Sequence, residues 1–178
     1  MADFTKAFQL VLANEGGYDN DPDDPGGETY KGVARKIFSK WDGWIKIDIL
    51  KRQPGFPGNL DKDVELQQDI EDFYRVNFWN KLKGDDIADQ KVAESIFDFG
   101  VNAGVGTSAS LAQLVIETNT DGVIGPDSLG KLNAFNTEHF LAAFTVAKIA
   151  RYVSIVQKRP TSRKYFYGWI CRAIGSPS

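Results

Sequence analysis

Glu15 ends a run of residues with helical periodicity, and two glycines and an acidic, proline-rich stretch follow it in the sequence NEGGYDNDPDDPGGETYKG. The apolar residues Phe4, Phe8, Val11 and Leu12 have the spacing of an amphipathic helix. At about 100° per residue, Glu15 projects within about 20° of Phe4 and Phe8, which predicts a carboxyl group on the buried stripe. Apolar surroundings and the negative end of the helix dipole both favour a protonated carboxyl. Such a group suits protonation of a leaving oxygen near neutral pH, unless Glu15 bends out to solvent where the helix frays.

The acidic loop has some of the spacing of a calcium-binding loop. Asp19, Asp21 and Asp23 stand at the first three ligand positions of an EF-hand, but Asp24 replaces its invariant glycine and Tyr30 its bidentate glutamate. We therefore expect neither a metal nor another cofactor. Prolines restrain the loop, which is consistent with a rigid segment that holds a carboxylate or a hydroxyl across a cleft.

Glycoside hydrolysis usually needs two carboxylates that flank the scissile bond, and three residues are candidates for the partner of Glu15. Asp24 precedes Pro-Gly-Gly, where a stiff turn holds it, although a turn-stabilising side-chain hydrogen bond explains the same position. Thr29 can position a water molecule but cannot act as its base. Asp98 lies with Asn102 on one face of a predicted helix, which either lines the cleft, is exposed, or caps a neighbouring helix.

Aromatic residues near the acidic loop are the expected contacts to the rings of a sugar. Tyr18 and Tyr30 flank the loop and are the first choices, with Asp98 and Asn102 as polar contacts to the substrate. The four tryptophans are interpreted as core residues, because tryptophan in a helical protein is more often buried than exposed as a sugar platform.

The composition excludes several classes of function. The chain has 178 residues, with 42% hydrophobic and 25% charged, which fits one globular domain or one domain with a small module. Its one cysteine, Cys171, rules out an intramolecular disulfide and is interpreted as a buried hydrophobe. Its one histidine, His139, argues against a zinc peptidase and against a Ser-His-Asp triad. No run approaches the roughly 18 uninterrupted apolar residues of a membrane span.

Charge is distributed unevenly along the chain. The net charge is −3, but the segment from His139 onward carries seven basic and no acidic residues. This asymmetry indicates either an anionic polymer as partner or charge complementarity within the fold.

The periodicity predicts a mostly α protein. The stretch 41–60 fits either a short helix or a pair of strands. Pro126 is expected at the first position of a helix, and the last two helices are expected to break near Pro160. Helices are predicted over DFTKAFQLVLANE, DKDVELQQDIEDFYRVNFWNKL, QKVAESIFDFGVNAGVG, SASLAQLVIETN, PDSLGKLNAF, TEHFLAAFTVAKIARYVSIVQ and RKYFYGWICRAIG.

Five blocks of the sequence, in order, resemble glycoside hydrolase family 108, a lysozyme-like muramidase family marked by Glu-Gly-Gly-Tyr. They cover nearly the whole chain. The stretch KIFSKWDGWIKIDILKRQPGFPGNLDKDVE departs from the pattern. The blocks are NEGGYDNDPDDPGGETYKGVA, FYRVNFWNKL, ESIFDFGVNAGVGTSASLAQ, TDGVIGPDSLGKL and YVSIVQKRPTSRKYFYGWICRAIG.

The resemblance implies a lysozyme-like helical fold, with a catalytic region over 1–90 and a helical peptidoglycan-binding region over 91–178. It implies that Glu15 is the general acid of an N-acetylmuramidase that cuts the β-1,4 bond between N-acetylmuramic acid and N-acetylglucosamine. A lytic transglycosylase and a non-catalytic peptidoglycan-binding or secretion-assisting protein are the alternatives.

The expected partner is the peptidoglycan glycan strand, with no nucleic acid and no stable membrane insertion, and the protein is expected to be a monomer. MADFTKAF shows no Sec signal, so we expect synthesis in the cytoplasm and action at the cell wall or in the periplasm after release, as for a phage-type or prophage endolysin.

Overall fold

The computed structural model describes residues 1–21 and 27–175. Within these ranges the chain forms eight α-helices and one three-stranded antiparallel sheet, which confirms the mostly α prediction. Short 3₁₀ turns cover Leu60–Lys62, Gly84–Asp86 and Pro160–Ser162, and a π-helical turn covers Arg75–Trp79. The elements are α1 Phe4–Asn14, β1 Tyr18–Asp19, β2 Thr29–Tyr30, β3 Val33–Ala34, α2 Gly43–Leu50, α3 Val64–Tyr74, α4 Gln90–Ala103, α5 Val105–Val115, α6 Pro126–Ala134, α7 Thr137–Lys158 and α8 Arg163–Ile174.

The chain divides into two compact units. The N-terminal unit is Asp3–Asn80 and contains the sheet and helices α1 to α3. The C-terminal unit runs from Lys81 onward, includes Met1–Ala2, and contains α4 to α8. The division into regions 1–90 and 91–178 stays a prediction. The largest fully buried side chains include, in the N-terminal unit, Trp79, Tyr30, Tyr74, Ile47, Leu60, Leu66 and Ile70, and, in the C-terminal unit, Phe97, Phe99, Phe140, Phe144 and Leu82.

Helix α1 forms as its sequence predicts, but it ends at Asn14, so Glu15 is not part of the helix on which its direction was projected. Asp3 caps it by accepting hydrogen bonds from the backbone N–H groups of Thr5 and Lys6. Phe4 and Phe8 are buried and their rings stack with centroids 5.4 Å apart. Glu15 already has extended backbone angles, with φ −93° and ψ 142°. The direction of its side chain is therefore set by the chain after the helix and not by the helical stripe.

The three-stranded sheet is the element that sequence periodicity missed. Its strands have two residues each, in the order β1-β2-β3, and are too short for an alternating pattern. A two-residue turn, Lys31-Gly32, joins β2 to β3, and both residues have positive φ, 44° and 76°. This is the geometry of a type I′ hairpin turn, in which glycine is favoured and lysine is strained.

An ion-pair network ties the sheet to α2. Arg35, just after β3, donates from Nη1 to Glu28 Oε2 at 2.9 Å and to Asp48 Oδ1 at 2.7 Å. Lys51, at the end of α2, lies 2.5 Å from Glu28 Oε1. Burial opposes ionisation of Glu28, but hydrogen bonds from Lys51 and Arg35 outweigh it and hold the pKa of Glu28 below its ordinary value. The network fixes Glu28, the residue directly before Thr29 and the start of β2.

Helix α3 changes its hydrogen-bonding pattern at its end. Leu66, Ile70 and Phe73 face the core of the N-terminal unit. The next turn is π-helical, and the N–H of Asn80 bonds to the carbonyl of Arg75 five residues back. Such turns shift the following side chains relative to an α-helix and often occur at functional sites.

Two helices of the C-terminal unit meet at Gly104, where a single helix over 90–106 was predicted. Gly104 has φ 90°, a conformation that L side chains rarely adopt, so α4 ends at Ala103 and α5 begins at Val105 instead of Ser108. The continuous helix was wrong because the apolar periodicity runs through the glycine. Buried Ser108 then donates to the carbonyl of Ile96 at 2.6 Å and joins the two helices.

The turn TDGVIGP is organised around one buried amide. The Gln113 side chain donates to Asp121 Oδ1 at 2.8 Å and to Ser128 Oγ at 3.0 Å, and it accepts from the Gly122 N–H at 2.9 Å. Pro126 stands at the start of α6, as predicted. The residues of TDGVIGP are therefore explained by the structure of the turn, which forms around Gln113.

Helix α7 is long and apolar enough to cross a membrane by length and composition, although no uninterrupted apolar run was found in the sequence. Core helices of soluble proteins pass the same test, and α7 packs against α4, α5 and α8. The absence of stable membrane insertion stays a prediction. Cys171 on α8 is buried, as expected.

The Arg35–Asp48 contact predicts a pH dependence of stability. Hydrogen bonds from Arg35 lower the pKa of Asp48 from 3.8 to about 2. A carboxyl whose pKa is lower in the folded state stabilises the fold above its unfolded pKa, and that contribution disappears as the pH falls from about 4 to about 2. We expect Asp48→Asn to lower the melting temperature at pH 7 and to have a much smaller effect near pH 2.

Thermal unfolding followed by circular dichroism at both pH values checks this prediction. Asp72→Asn is the control, since Asp72 is exposed and its carboxylate accepts a hydrogen bond only from Gln68 among the contacts described. Equal destabilisation by Asp48→Asn at both pH values would contradict the role of the charge.

Candidate active site

The Glu15 carboxyl group is turned toward the β2–β3 turn. A Cβ atom placed on Gly32 would stand 2.6 Å from Glu15 Oε2 and 2.5 Å from the Tyr74 hydroxyl oxygen. The missing side chain of Gly32 therefore makes room for both groups. Gly32 is exposed, Glu15 is half-buried and Tyr74 is buried. We call the point where these three residues meet the Gly32 notch.

Tyr74 is held on all sides by the N-terminal unit. Its ring contacts the rings of Phe8, Phe73 and Phe78, with centroids 5.5 to 5.7 Å apart. Its hydroxyl donates to the carbonyl of Lys31 at 2.8 Å. Because a tyrosine hydroxyl has one proton, its oxygen faces other groups as an acceptor.

The Lys31 backbone and side chain fix the turn that carries Gly32. Its N–H donates to the carbonyl of Gly17, two residues after Glu15, at 3.2 Å. Its ammonium group lies 2.6 Å from Gln67 Oε1 and 3.0 Å from Asp61 Oδ1. These contacts hold Lys31 in a left-handed backbone conformation, which is strained for a residue with a side chain. Backbone strain of this kind is common at functional sites.

Thr29 and Tyr18 lie in the sheet on the same unit as Glu15. Thr29 is half-buried and pairs with Asp19 on one side and Ala34 on the other. Tyr18 is half-buried, and its ring meets the ring of Phe56 edge-on at 4.8 Å. Burial, followed by the charge of Glu28, raises the pKa of Tyr18, so its phenol remains a hydrogen-bond donor at neutral pH.

Tyr30 occupies a different role from the one predicted. Its side chain is 1% exposed, and its hydroxyl donates to Asp61 at 3.1 Å and accepts from Gln67 at 2.9 Å. Burial raises the pKa of Tyr30. A ring covered by protein offers no face for a sugar to stack on, so we reassign Tyr30 from substrate contact to support of the hairpin.

The remaining candidates divide between the C-terminal unit and the undescribed loop. Asp98 on α4 accepts from Arg172 on α8 at 2.8 Å, and Asn102 donates to the backbone carbonyl of Asp98. Both residues thus have structural partners within the C-terminal unit, where Asp98 pairs with α8 through a side chain and not as a helix cap, and their contact with substrate stays a prediction. Asp24 lies outside the described residues, and its role stays a prediction.

Sequence reasoning missed Gly32 and Tyr74. Lys31-Gly32 between two short β-forming pairs was a usable signal, because two-residue loops ending in glycine are typical of hairpins. No pattern in the sequence indicates that Tyr74 and Glu15, 59 positions apart, both border Gly32. In the described ranges, no group of three or more His, Cys, Asp and Glu side chains is arranged to hold a metal ion.

The largely helical fold has a short three-stranded sheet whose turn faces a glutamate just past the first helix, an arrangement consistent with a lysozyme-like glycoside hydrolase. Residues 8–104 match the family model Glycosyl hydrolase 108, and the chain belongs to this family. Residues 108–174 match a second model, described as a predicted peptidoglycan domain.

A solved structure supports the same assignment. The chain is similar to SagA of Brucella abortus, with 28% sequence identity, a TM-score of 0.65, and coverage of 97% of this chain and 94% of that one. No curated protein matches the chain. Together, the two family models make the protein a peptidoglycan hydrolase with peptidoglycan as its partner.

The Gly32 notch predicts that Gly32→Ala inactivates the enzyme. The new methyl group would overlap Glu15 Oε2 and the Tyr74 hydroxyl, and the buried tyrosine has little freedom to move, so the carboxyl must shift. We expect at least a hundredfold loss of peptidoglycan cleavage, the size of a lost acid catalyst. The rate of turbidity loss of a peptidoglycan suspension measures it.

Gly55→Ala is the matched control for this variant. Gly55 also has positive φ, 89°, but no described atom lies within 4 Å of its added Cβ. Both substitutions place a side chain at positive φ and should cost about 1 to 3 kcal/mol of stability from backbone strain. Equal activity of the two variants would show that the notch does not position Glu15.

Proposed function

We propose that the protein is an N-acetylmuramidase that hydrolyses the β-1,4 bond between N-acetylmuramic acid and N-acetylglucosamine, with Glu15 as the general acid. The observation that carries the proposal is the half-buried Glu15 carboxyl beside the Tyr74 hydroxyl at the exposed Gly32 notch. Membership of glycosyl hydrolase family 108 supports it.

The carboxyl group acts on the glycosidic oxygen. Glu15 donates its proton to this oxygen, the bond from the anomeric carbon to the oxygen breaks, and the leaving sugar departs as an alcohol. Positive charge develops on the remaining ring. A water molecule then forms the new bond to the anomeric carbon, and its released proton restores the acid form of Glu15.

Tyr74 acts as a positioning residue for this acid. Since its hydroxyl gives its proton to the Lys31 carbonyl, its oxygen can accept a hydrogen bond from a protonated carboxyl. The acidic proton of Glu15 is thereby oriented within the notch before the substrate arrives.

Asp24 is the proposed second group. It either stabilises the positive charge while Glu15 takes the proton of the water, or it takes that proton itself as the base that activates the water, in which case Glu15 regains its proton from solvent. Thr29 is the group proposed to position that water. Tyr18 is the proposed aromatic contact to the substrate because it is partly exposed in the same unit. We propose that the protein acts as a monomer on the cell wall, after synthesis in the cytoplasm and release.

Replacement of Glu15 tests the proposed reaction. We expect Glu15→Gln to keep the circular dichroism spectrum of the wild type and to lose activity on purified peptidoglycan by about a hundredfold or more. Glu65→Gln is the control, because Glu65 belongs to the same unit and its side chain is 83% exposed. Full activity of Glu15→Gln would remove Glu15 from the mechanism.

Mass spectrometry of the soluble fragments distinguishes the reaction type. New reducing N-acetylmuramic acid ends from the wild type alone support hydrolysis. Anhydro ends would instead identify a lytic transglycosylase, in which the sugar's own hydroxyl replaces water. Sedimentation of the protein with peptidoglycan, without any fragments, would indicate a non-catalytic binding protein.

Removal of the Tyr74 hydroxyl tests the positioning role. We expect Tyr74→Phe to lower kcat on the order of tenfold, the equivalent of one hydrogen bond, with little change in KM. Tyr30→Phe is the comparison, since it also deletes a buried hydroxyl that bonds within the unit. If the two variants lose kcat equally, the effect of Tyr74 is on stability alone.

A further inference from the structure

A second concave site lies on the N-terminal unit, beside α3. The groove is formed by residues 37–41 together with Phe73 and Asn77; it is open to solvent and has a volume of about 450 Å³. That volume is within the usual range for ligand sites. We call it the 37–41 groove. Residues 37–41 belong to the stretch in which the sequence departs from its family pattern, whereas Phe73 and Asn77 belong to a block that resembles the family.

The floor of the groove is aromatic and preformed. Phe38 and Trp41 both meet the ring of Phe73 edge-on, with centroids 4.8 and 5.9 Å apart. The indole N–H of Trp41 donates to the carbonyl of Asp69 at 3.3 Å, and the indole N–H of Trp44 donates to the carbonyl of Phe38 at 2.9 Å. These bonds hold the backbone and the rings in place without a ligand.

Gly43 allows the indole of Trp41 to lie against the start of α2. A Cβ atom on Gly43 would stand 2.2 Å from a ring carbon of Trp41, so any side chain there would displace the ring. The position of Trp41 is therefore specified by the sequence and is not left to surface mobility.

The rim of the groove combines polar groups with one exposed hydrophobic residue. Ser39 and Lys40 are exposed, and the half-buried Asn77 comes from the π-helical turn. Ile37 is 71% exposed and supplies an apolar side chain at the edge of the groove. An N-acetylated sugar has matching chemistry, with apolar ring faces and a methyl group surrounded by hydroxyl and amide groups.

The groove shares α3 with the catalytic candidate. Phe73 lines the groove, and the next residue, Tyr74, reaches the Gly32 notch. Consecutive residues of a helix point about 100° apart, so the two sites lie on neighbouring faces of the same helix. A strand that occupied both sites would gain binding energy in the groove equally in the ground state and the transition state, which lowers KM without changing kcat.

We infer that the 37–41 groove is a second glycan-binding subsite, which takes N-acetylated sugar units of the strand away from the scissile bond. The inference rests on the proposed function only in taking a glycan strand as the substrate. Ile37, Trp41 and Asn77 are the residues expected to contact the sugar.

Binding and cleavage are measured separately to test the subsite. Calorimetry with a soluble tetramer of N-acetylglucosamine is done in the Glu15→Gln protein, so the result does not depend on catalysis. We expect Ile37→Ser and Trp41→Ala to weaken binding about fivefold to tenfold. In otherwise wild-type enzyme, the same substitutions should raise KM for long strands and leave kcat nearly unchanged.

Ile45→Ser is the matched control, because Ile45 is 64% exposed in the same unit and does not line the groove. Ile37 is exposed, so Ile37→Ser leaves the core intact. This variant still tests the subsite if Trp41→Ala does not fold. Equal binding by Ile37→Ser and Ile45→Ser would overturn the subsite. Binding of a free stem peptide instead of the tetramer would also overturn it, as would a change in sedimentation that reveals self-association through Ile37.

An active Glu15→Gln variant would refute the proposed acid, yet the loss of tetramer binding in Ile37→Ser would still support the groove. Conversely, an inactive Glu15→Gln with unchanged binding in both groove variants would leave the acid in place and remove the subsite.

Discussion

The N-terminal unit depends on one empty position, the missing side chain of Gly32. The hairpin turn needs a residue that tolerates positive φ, and the same residue must leave room for a carboxyl group and a phenol. Only glycine meets both demands. The turn, the end of α1 and the end of α3 are thus brought together by the smallest residue in the segment, and the surrounding contacts serve to keep it there.

Those contacts are of two kinds. Apolar packing holds Tyr74 from the side of the core, whereas charged contacts hold the sheet from the outside, through Lys31 with Asp61 and through Arg35 with Glu28. Exposed ion pairs are usually weak, but several that converge on a short sheet restrain a structure that two-residue strands cannot maintain alone. The strained Lys31 backbone is tolerated because its N–H, its carbonyl and its ammonium group all have partners.

The sequence predicted most helices and the candidate acid, but not the geometry that surrounds the acid. Amphipathic spacing identified α1 and its buried phenylalanines, and Pro126 marked the start of α6. Periodicity failed where the chain leaves a regular element, at Glu15, at the short strands and at Gly104. Tyr30 was predicted as a substrate contact because it lies beside the acidic loop in the sequence. Nearness to a loop does not reveal which ring is buried. Glu15, Gly32 and Tyr74 are far apart in the sequence, and nothing in local spacing indicates that they come together.

Helix α4 belongs to the glycosyl hydrolase segment by sequence match and to the C-terminal unit by packing. The glycosyl hydrolase match extends to residue 104 and includes α4, yet α4 packs on α5 and α7 in the C-terminal unit. Gly104 alone separates α4 from α5, and Ser108 bonds back to Ile96. A recombination event between the two family segments would therefore cut through a single hydrophobic core, whereas a junction near residue 80 would respect it. The two family segments are consequently not separate structural modules, since α4 matches the first in sequence and packs with the second.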